Sequence, residues 1–287
     1  MRISLKPWAL DAVISFLDEN GLKGSELKEG PGACMLLAYC KDERTSESLR
    51  CQLMQYAVAL EEIHGDTPIF SIELEQLQDP GWAQAWKVHF KPCRISQRLA
   101  VCPPWESYEG PEGVWVIQVE PGQAFGTGLH ETTRLCLEFL DELLSGSQVP
   151  ASAVDLGTGT GILAMAMAKL GVKRVVALDR DPLAVDAARE NLRLNQLLDR
   201  VDLIQGDLDS MRGSLFPLLV ANLTGKTLRE NARQVSSLVE LGGSSILSGI
   251  LCQEWESVCE SFKRFGMVLK DRRTKGDWIA LVMAREK

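Results

Sequence analysis

The fold of this chain can be inferred from one stretch, Ala153-Val154-Asp155-Leu156-Gly157-Thr158-Gly159-Thr160-Gly161. A short apolar run ends in an acidic residue, glycines follow at alternate positions, and a further apolar run covers 162–170. This order predicts a strand, a tight turn and a helix, in which bare glycine backbone can approach a ligand. Unpaired N–H groups near the helix start favour polar or negatively charged ligand atoms. We therefore predict a nucleotide-binding turn.

The spacing of the glycines separates two kinds of nucleotide site. A dinucleotide site has a glycine or alanine three positions after its second glycine, and Ile162 stands at that position here. The spacing G-x-G-x-G instead resembles that of enzymes that use S-adenosylmethionine (SAM). A nicotinamide-dependent dehydrogenase of the same fold class remains an alternative, and binding of NAD without binding of SAM would favour it.

Composition limits the class of protein. The chain has 287 residues, of which 45% are hydrophobic and 24% are charged, as in an ordinary globular protein of one or two domains. It contains no run of roughly 18 apolar residues and no apolar signal core over 1–7. The eight cysteines form no C-x-x-C pair, and no metal set is recognisable. We expect a soluble, cytoplasmic protein without a metal site.

The net charge of the chain indicates which kind of molecule it binds. The formal net charge is −8 and the isoelectric point is near 5.1. These values argue against a broad basic face, so direct binding to nucleic acid is not expected. A basic protein or a small ligand is the better-matched partner.

Residues 1–78 are predicted to form a separate domain. Period-2 and helical spacing of apolar residues predict strands at 1–6, 25–29, 33–39 and 67–77 and helices at 8–19 and 46–63. This order, β-α-β-β-α-β, is that of the ferredoxin-like arrangement. Because the segment contains no catalytic constellation, we predict that it recognises the substrate, with a purely stabilising role as the alternative.

Residues 79–103 are predicted to connect this domain to a second one. A short helix over 79–90 carries Trp82 and Trp86, which stand four residues apart and so share one face. We expect these rings to pack in the domain junction, with substrate contact as the alternative. Two strand-like runs, 98–102 and 114–119, flank a turn-rich segment.

A second glycine-rich stretch follows, Glu120-Pro121-Gly122-Gln123-Ala124-Phe125-Gly126-Thr127-Gly128-Leu129-His130-Glu131-Thr132-Thr133. It leads into a predicted helix over 132–144. Loops of this kind often close over a ligand, and the hydroxyls of Thr132 and Thr133 can bind one. A threonine N-cap on a surface turn is the equally supported alternative.

From residue 153 onward, predicted strands and helices alternate, which indicates a parallel sheet covered by helices. Ligands of such sheets bind at the carboxyl ends of the strands. Asp179 ends the second strand, 22 residues after Gly157, where a carboxylate can bind ribose hydroxyls. The residues expected at the same rim are Asp155, Gly157, Asp179, Asp207 and Asn222, although Asp207 has a helix cap as its alternative role.

The end of the chain completes the predicted sheet. Helices are expected at 227–241 and 253–265, and strands at 244–250, 267–271 and 278–283. A closing hairpin of the last two strands distinguishes a SAM methyltransferase sheet from the ordinary dinucleotide fold. The sequence thus predicts an α/β, Rossmann-like methyltransferase domain over 104–287, preceded by the small ferredoxin-like α+β domain.

The chain resembles the ribosomal protein L11 methyltransferase family of class I SAM enzymes. The resemblance rests on the glycine turn and on Trp82-Ala83-Gln84-Ala85-Trp86-Lys87, Phe90, Pro92, Arg98-Leu99, Cys102-Pro103, Pro121-Gly122-Gln123-Ala124-Phe125-Gly126-Thr127-Gly128, His130, Thr132-Thr133, Asp179, Asp181-Pro182, Asn222-Leu223 and Leu247-Ser248-Gly249-Ile250-Leu251. The chain departs from the family pattern at three positions. Where this chain has Glu120, Leu129 and Glu131, the family usually has Asp, Thr and Pro. The glycine turn of this chain also reads GTGTG where GCGSG is more frequent.

The resemblance implies a methyl transfer from SAM to amino groups of ribosomal protein L11. It implies that Thr133, Gly157, Asp179 and Asn222 contact the cofactor and that Asn222 also faces the incoming amine. We assign Asp179 to the ribose, Gly157 and Gly159 to close backbone approach, Thr133 to the methionine end and Asn222 to the catalytic orientation of the amine.

Three questions stay open at this point. His130 is either a general base or a structural residue of its turn. The substrate is either L11 or another lysine-containing protein. A protein that binds SAM without catalysis, as an assembly or sensing module, is the alternative from a different functional class.

Overall fold

The computed structural model describes residues 1–22, 25–30, 33–40, 42–75, 90–122, 124–126, 128, 130–146 and 148–286. The chain divides into two compact units, Met1–Ala85 and Trp86–Lys287. The predicted helix that carries Trp82 and Trp86 lies outside the described residues.

In its described residues, the first unit is a four-stranded antiparallel sheet with two α-helices. Its elements are β1 (Arg2–Leu5), α1 (Leu10–Glu19), β2 (Ser25–Gly30), β3 (Ala33–Ala38), α2 (Glu43–His64) and β4 (Ile69–Glu73). The strands are ordered β2-β3-β1-β4, and all pairs are antiparallel. Helix α2 begins earlier than predicted because the Asp42 side chain caps it by accepting the Thr45 N–H at 2.7 Å. The assignment to the ferredoxin-like class stays a prediction.

Apolar residues alternate along the strands and recur at helical spacing along α2. Their side chains form the core of this unit. Ile3, Leu5 and Leu36 on the strands are fully buried, as is Leu53 on α2. The apolar periodicity of the sequence thus corresponds to one packed face of each element.

The second unit contains two sheets. A small sheet consists of β5 (Cys93–Arg94), β6 (Leu99–Cys102) and β7 (Trp115–Gln118). The strands of the large sheet are β8 (Ser152–Leu156), β9 (Arg174–Asp179), β10 (Val201–Gln205), β11 (Phe216–Asn222), β12 (Val239–Leu251), β13 (Met267–Lys275) and β14 (Trp278–Arg285). Its helices are α3 (Glu131–Leu143), α4 (Ile162–Lys169), α5 (Pro182–Leu194), α6 (Gly225–Glu230), α7 (Ala232–Leu238) and α8 (Trp255–Lys263).

The large sheet has the strand order β10-β9-β8-β11-β12-β14-β13. Strands β8 to β12 are parallel to one another, whereas β14 is antiparallel to both β12 and β13. The predicted closing hairpin is therefore present. The order reverses between β8 and β11, and the carboxyl ends of these strands form the crevice in which such sheets bind ligands.

Helices cover both faces of this sheet. Buried residues of α3, α4 and α5 pack with one set of strand side chains, and those of α6, α7 and α8 pack with the alternate set. On β8, Ala153 faces the first layer and Val154 faces the second. Both faces are apolar, as expected for a parallel sheet buried between helices.

The predicted helix over 227–241 is instead two short helices, α6 and α7, which meet at Asn231. The Asn231 side chain donates to the Thr227 carbonyl at 2.9 Å and so ends α6. Strand β12 begins at Val239 rather than at residue 244 because Val239 is fully buried and pairs with Phe216. Among the helices of the described residues, none has the length and apolar character that a membrane span requires.

Candidate active site

A cavity of about 780 Å³ opens at the carboxyl ends of the parallel strands. Its volume lies in the range of small-molecule sites. The residues that line it lie at strand ends, in the loops and first helical turns that follow the strands, in the loop before α3 and at the start of β14. They are Ala124, Phe125, His130, Thr132, Leu156, Gly157, Gly159, Leu178, Asp179, Arg180, Asp181, Ala184, Gly206, Asp207, Leu208, Asp209, Asn222, Leu223, Thr224, Thr227, Asn231, Gln234, Gly249 and Trp278.

The glycine turn requires glycine for reasons of both conformation and space. Gly157 and Gly159 have φ values of +70° and +56°. A Cβ on Gly157 would lie 2.5 Å from Cδ2 of Leu223, and a Cβ on Gly159 would lie 2.3 Å from the Phe125 carbonyl oxygen. The turn therefore packs bare backbone against the two loops that complete the cavity wall.

The loop before α3 is fastened to this turn by hydrogen bonds. The Thr160 N–H donates to the Phe125 carbonyl at 3.0 Å, and the Thr160 hydroxyl donates to the Gly126 carbonyl. Asn191 on α5, which is 1% exposed, accepts the Glu120 N–H at 2.9 Å and donates to the Thr160 carbonyl at 3.0 Å. One buried amide thus joins the start of the loop to the glycine turn.

Asp179 occupies the end of β9 and lines the cavity, as the sequence predicts. Its Oδ2 accepts the Gly159 N–H at 2.9 Å, and its Oδ1 accepts the Asp181 N–H at 3.1 Å. These two bonds fix the carboxylate and leave further acceptor capacity on both oxygens. The arrangement suits a ligand with two neighbouring hydroxyl groups.

Asn222 ends β11 beside the cavity. Its Nδ2 donates to the Thr133 hydroxyl at 3.3 Å. Its Oδ1 is buried and has no hydrogen-bond partner within the part of the chain that the structure describes. An unpaired buried acceptor costs about 1–3 kcal/mol, so an N–H or O–H group that reached this oxygen would recover that free energy.

Whether Thr133 contacts the ligand, as predicted, stays a prediction. The residue is fully buried in the first turn of α3, and it is not among the described residues that line the cavity. Its hydroxyl faces the Asn222 amide.

Asp155 also lies away from the cavity lining formed by the described residues. It is fully buried beneath the glycine turn, where its Oδ2 accepts the Thr158 hydroxyl at 2.6 Å and the Ala164 N–H at 3.1 Å. Burial raises the pKa of Asp155 to about 7, and the nearby charge of Asp179 acts in the same direction. The residue supports the turn from inside.

Asp207 combines both roles that the sequence left open. It lines the cavity, and its Oδ1 accepts the Asp209 N–H at 3.0 Å to cap the 3-10 helix Leu208–Met211.

His130, not a threonine, is the N-cap of α3. Its Nδ1 accepts the Thr132 N–H at 3.3 Å and lies 2.8 Å from the Thr132 hydroxyl oxygen. Since a backbone N–H can only donate, Nδ1 is the acceptor and the neutral ring carries its hydrogen on Nε2. Neither nitrogen then has a free lone pair, which argues against a general base at this position.

Two aromatic side chains of the cavity wall were not singled out as site residues from the sequence. Phe125 and Trp278 meet the His130 ring edge-on, with centroid distances of 5.3 and 5.2 Å. Nothing in the local pattern around Trp278 indicates a site, since it opens an ordinary strand. Asn191 did have a detectable signal, because it is a polar residue within the apolar stripe of α5.

The model of the ribosomal protein L11 methyltransferase (PrmA) family matches residues 14–286. The chain belongs to the ribosomal protein L11 methyltransferase family. A protein of that name from Pelobacter propionicus is 38% identical over 250 residues, which cover 86% of this chain and 81% of the relative. A protein of the same name from Chloroflexus aurantiacus is 34% identical over 290 residues, covering 92% and 87%.

A solved structure supports the same assignment. The ribosomal protein L11 methylase of Lactobacillus delbrueckii subsp. bulgaricus is 30% identical and superposes with a TM-score of 0.63. The match covers 69% of this chain and all of the solved chain. The large-sheet unit is therefore a class I SAM-dependent methyltransferase fold, as predicted.

L11 methyltransferases use SAM, and the cavity of this family member fits that cofactor. Two positive-φ glycines line the cavity with bare backbone, the fixed Asp179 carboxylate has acceptor capacity that suits a ribose, and Asn222 Oδ1 is a buried acceptor without a partner among the described residues. The chain is a SAM-dependent methyltransferase.

Proposed function

We propose that this enzyme methylates amino groups of ribosomal protein L11, on lysine side chains and on the N-terminal amine. The observation that carries the proposal is the Asn222 amide, which belongs to a residue that lines the cavity and whose buried Oδ1 has no hydrogen-bond partner among the described residues. The curated relatives carry the name of an L11 methyltransferase, which supports L11 as the protein that supplies the amine.

Bound SAM supplies a methyl group activated on a sulfonium. In the proposed assignment the Asp179 carboxylate accepts the ribose hydroxyls, because it is fixed by the Gly159 and Asp181 N–H groups. Gly157 and Gly159 line the cavity with bare backbone and are assigned to close contact with the cofactor. Asp207 and Asn222 complete the lining.

The incoming lysine must be neutral to act as a nucleophile, although its ordinary pKa is near 10.4. Transfer into a cavity walled by Phe125, Leu223 and Trp278 disfavours the charged form through desolvation. Asn222 Oδ1 then accepts an N–H of the amine and turns the nitrogen lone pair toward the methyl group. The N-cap bond that His130 Nδ1 accepts from Thr132 assigns this residue a structural role.

The unit Met1–Ala85 contributes none of the described cavity residues and has its own core, so we assign it to substrate recognition. A ribosomal protein substrate places the enzyme in the cytoplasm. Neither a membrane nor direct nucleic-acid binding enters the proposal.

The test is incubation of the purified protein with methyl-labelled SAM and unmethylated L11, followed by intact-mass analysis of L11. Mass increases in steps of one methyl group support the proposal. Asn222→Ala is the matched control and should bind SAM while transferring slowly. If SAM binds but the mass of L11 does not change, the substrate is another protein or the chain is a SAM-binding module.

A further inference from the structure

The pairing of β12 with β14 is interrupted by a β-bulge. Leu247 lies opposite Leu281 and Ile250 lies opposite Ile279, so β12 takes three steps where β14 takes two. The extra residue falls within Ser248-Gly249, where Gly249 has a φ of +82°. Glycine adopts this left-handed conformation readily, and bulges of this kind often lie next to active sites.

Gly249 lines the cavity and packs against the backbone of Leu223, the residue that follows β11. A Cβ on Gly249 would lie 2.8 Å from the Leu223 carbonyl carbon and closer still to the carbonyl oxygen. The Leu223 N–H donates to the Ser248 carbonyl at 3.0 Å. The bulge therefore holds Leu223 by one hydrogen bond and by a close contact between two backbones.

Leu223 is enclosed on its other side by the glycine turn. A Cβ on Gly157 would lie 2.5 Å from Cδ2 of Leu223, so the leucine side chain covers the bare backbone of Gly157. The preceding residue, Asn222, pairs in register with Ser248. Two glycines thus fix the position of Leu223, and the position of Asn222 at the cavity wall follows from it.

We propose that Gly249 is a positioning residue for methyl transfer, which acts by letting the Asn222-Leu223 segment lie directly against the bulge of β12. This inference rests on the proposed role of Asn222 in orienting the amine. It concerns the transfer step more than the binding of SAM, because Asp179, which is assigned to the ribose, ends β9, two strands away from β11.

The expected displacement has the size to which group transfer is sensitive. Carbon atoms pack at about 3.5–4.0 Å, so a methyl group on Gly249 would push the Leu223 carbonyl away by about 1 Å. A misplacement of about 1 Å at a reacting geometry can lower the rate by about 100-fold.

The kinetic test compares Gly249→Ala with Gly266→Ala. Gly266 lies between α8 and β13 with a φ of +79°, and no described atom lies within 4 Å of a Cβ added there. The control therefore carries the same backbone strain without the contact. We expect Gly249→Ala to lower kcat on L11 by about 10- to 100-fold with Kd for SAM within about threefold, and Gly266→Ala to leave both within about twofold.

A binding test needs no protein substrate. The probe is a SAM analogue with nitrogen in place of sulfur and an aminoalkyl chain in place of the methyl group, so that it carries a cofactor and an amine in one molecule. We expect wild type and Gly266→Ala to bind this probe more tightly than S-adenosylhomocysteine. Gly249→Ala should lose the preference at nearly unchanged affinity for S-adenosylhomocysteine, as measured by calorimetry.

Thermal unfolding of each variant checks that it folds. Asparagine tolerates a positive φ better than alanine does, so Gly249→Asn and Gly266→Asn replace the alanine pair if Gly249→Ala does not fold.

Equal losses of kcat in the two variants would overturn the inference, because backbone strain alone would explain them. A loss of SAM affinity in Gly249→Ala as large as its loss of kcat would make the glycine a support of the cofactor site and would also overturn it. If wild type does not methylate L11 but the probe pattern holds, the proposed substrate fails and the positioning role stands.

Discussion

Asp155 lies beneath the glycine turn with both of its hydrogen bonds on Oδ2, from Thr158 and from Ala164. Burial raises its pKa to about 7 in the folded protein, well above its ordinary value. Between about pH 4 and pH 7 the folded state therefore binds more protons than the unfolded state, and the free energy of unfolding falls as the pH rises through this window.

We expect Asp155→Asn to remove this pH dependence. The asparagine oxygen can accept from Thr158 and Ala164, and its NH2 group takes the place of the protonated oxygen. From pH 5 to pH 8 the variant should gain stability relative to wild type by about 3 kcal/mol, because the wild-type carboxyl stops losing stability once the pH exceeds its folded-state pKa. Urea unfolding at the two pH values measures the difference, and a difference that does not vary with pH would contradict the assignment.

Asp179 and Asn222 are expected to separate binding from transfer. Asp179→Ala removes a charged acceptor and should weaken SAM binding by about 10- to 100-fold. Asn222→Ala should mainly lower kcat. Calorimetry and initial rates distinguish the two. The matched control is Asp202→Ala on β10, which removes an exposed ion pair with Arg174 on β9. Unchanged SAM affinity in Asp179→Ala would remove the ribose assignment.

At the scale of elements, α5 holds the loop before α3 through two asparagines. Asn191 bonds Glu120 and Thr160, and Asn195 accepts the Gln118 N–H at 3.0 Å and donates to the Gln118 carbonyl at 2.7 Å. These side chains replace hydrogen bonds that a strand would make, so the loop reaches the glycine turn in a fixed position.

Asn191→Ala should therefore affect both stability and cofactor binding. Loss of the amide leaves the Thr160 carbonyl without its partner, and we expect the free energy of unfolding to fall by about 1–3 kcal/mol. SAM affinity should fall as well, because Phe125 is held through Thr160. Asn20→Ala, at the exposed end of α1, is the control for loss of an asparagine hydrogen bond. Equal effects of the two variants would count against the loop-holding role.

The elements show what the sequence can and cannot predict. The parallel strands were predictable because each apolar run ends in a polar residue, and this pattern brings Gly157, Asp179, Asp207 and Asn222 to the cavity. The break at Asn231 was not predictable, since both halves have helical spacing and Val239 is apolar enough for either a helix or a strand. The pairing of Val239 with Phe216 in the folded sheet makes this segment a strand.

Two predicted site residues are not among the described residues that line the cavity, for a related reason. A residue at the end of a strand or in the first turn of a helix can face the ligand or the protein interior, and its type does not distinguish these cases. Asp155 faces the inside of its own turn, and Thr133 faces Asn222. Only the packing of neighbouring elements fixes these directions.

At the scale of the whole molecule, the two units have different proposed roles, one in substrate recognition and the other in cofactor binding and methyl transfer. All described cavity residues belong to Trp86–Lys287, and Met1–Ala85 has a separate core. A change confined to the first core should therefore affect recognition of a protein substrate more than cofactor binding.

Leu36→Ala tests this division. Leu36 is fully buried on β3, and its truncation should destabilise the first unit by about 2–5 kcal/mol. We expect reduced methylation of intact L11 with SAM affinity within about twofold of wild type. Calorimetry and the L11 mass assay provide the two values. A parallel loss of SAM affinity would show that the first unit supports the cofactor site as well.

The insertion of β14 between β12 and β13 has a consequence for the order of events on the ribosome. Strands β8 to β12 leave the ribosome first and can pair, but β13 has no neighbour in the sheet until β14 joins it. The two strands must enter together, and until then one edge of β12 stays open to other chains. Since Trp278 begins β14 and lines the cavity, the nascent enzyme can complete its cavity wall only after this hairpin has joined the sheet.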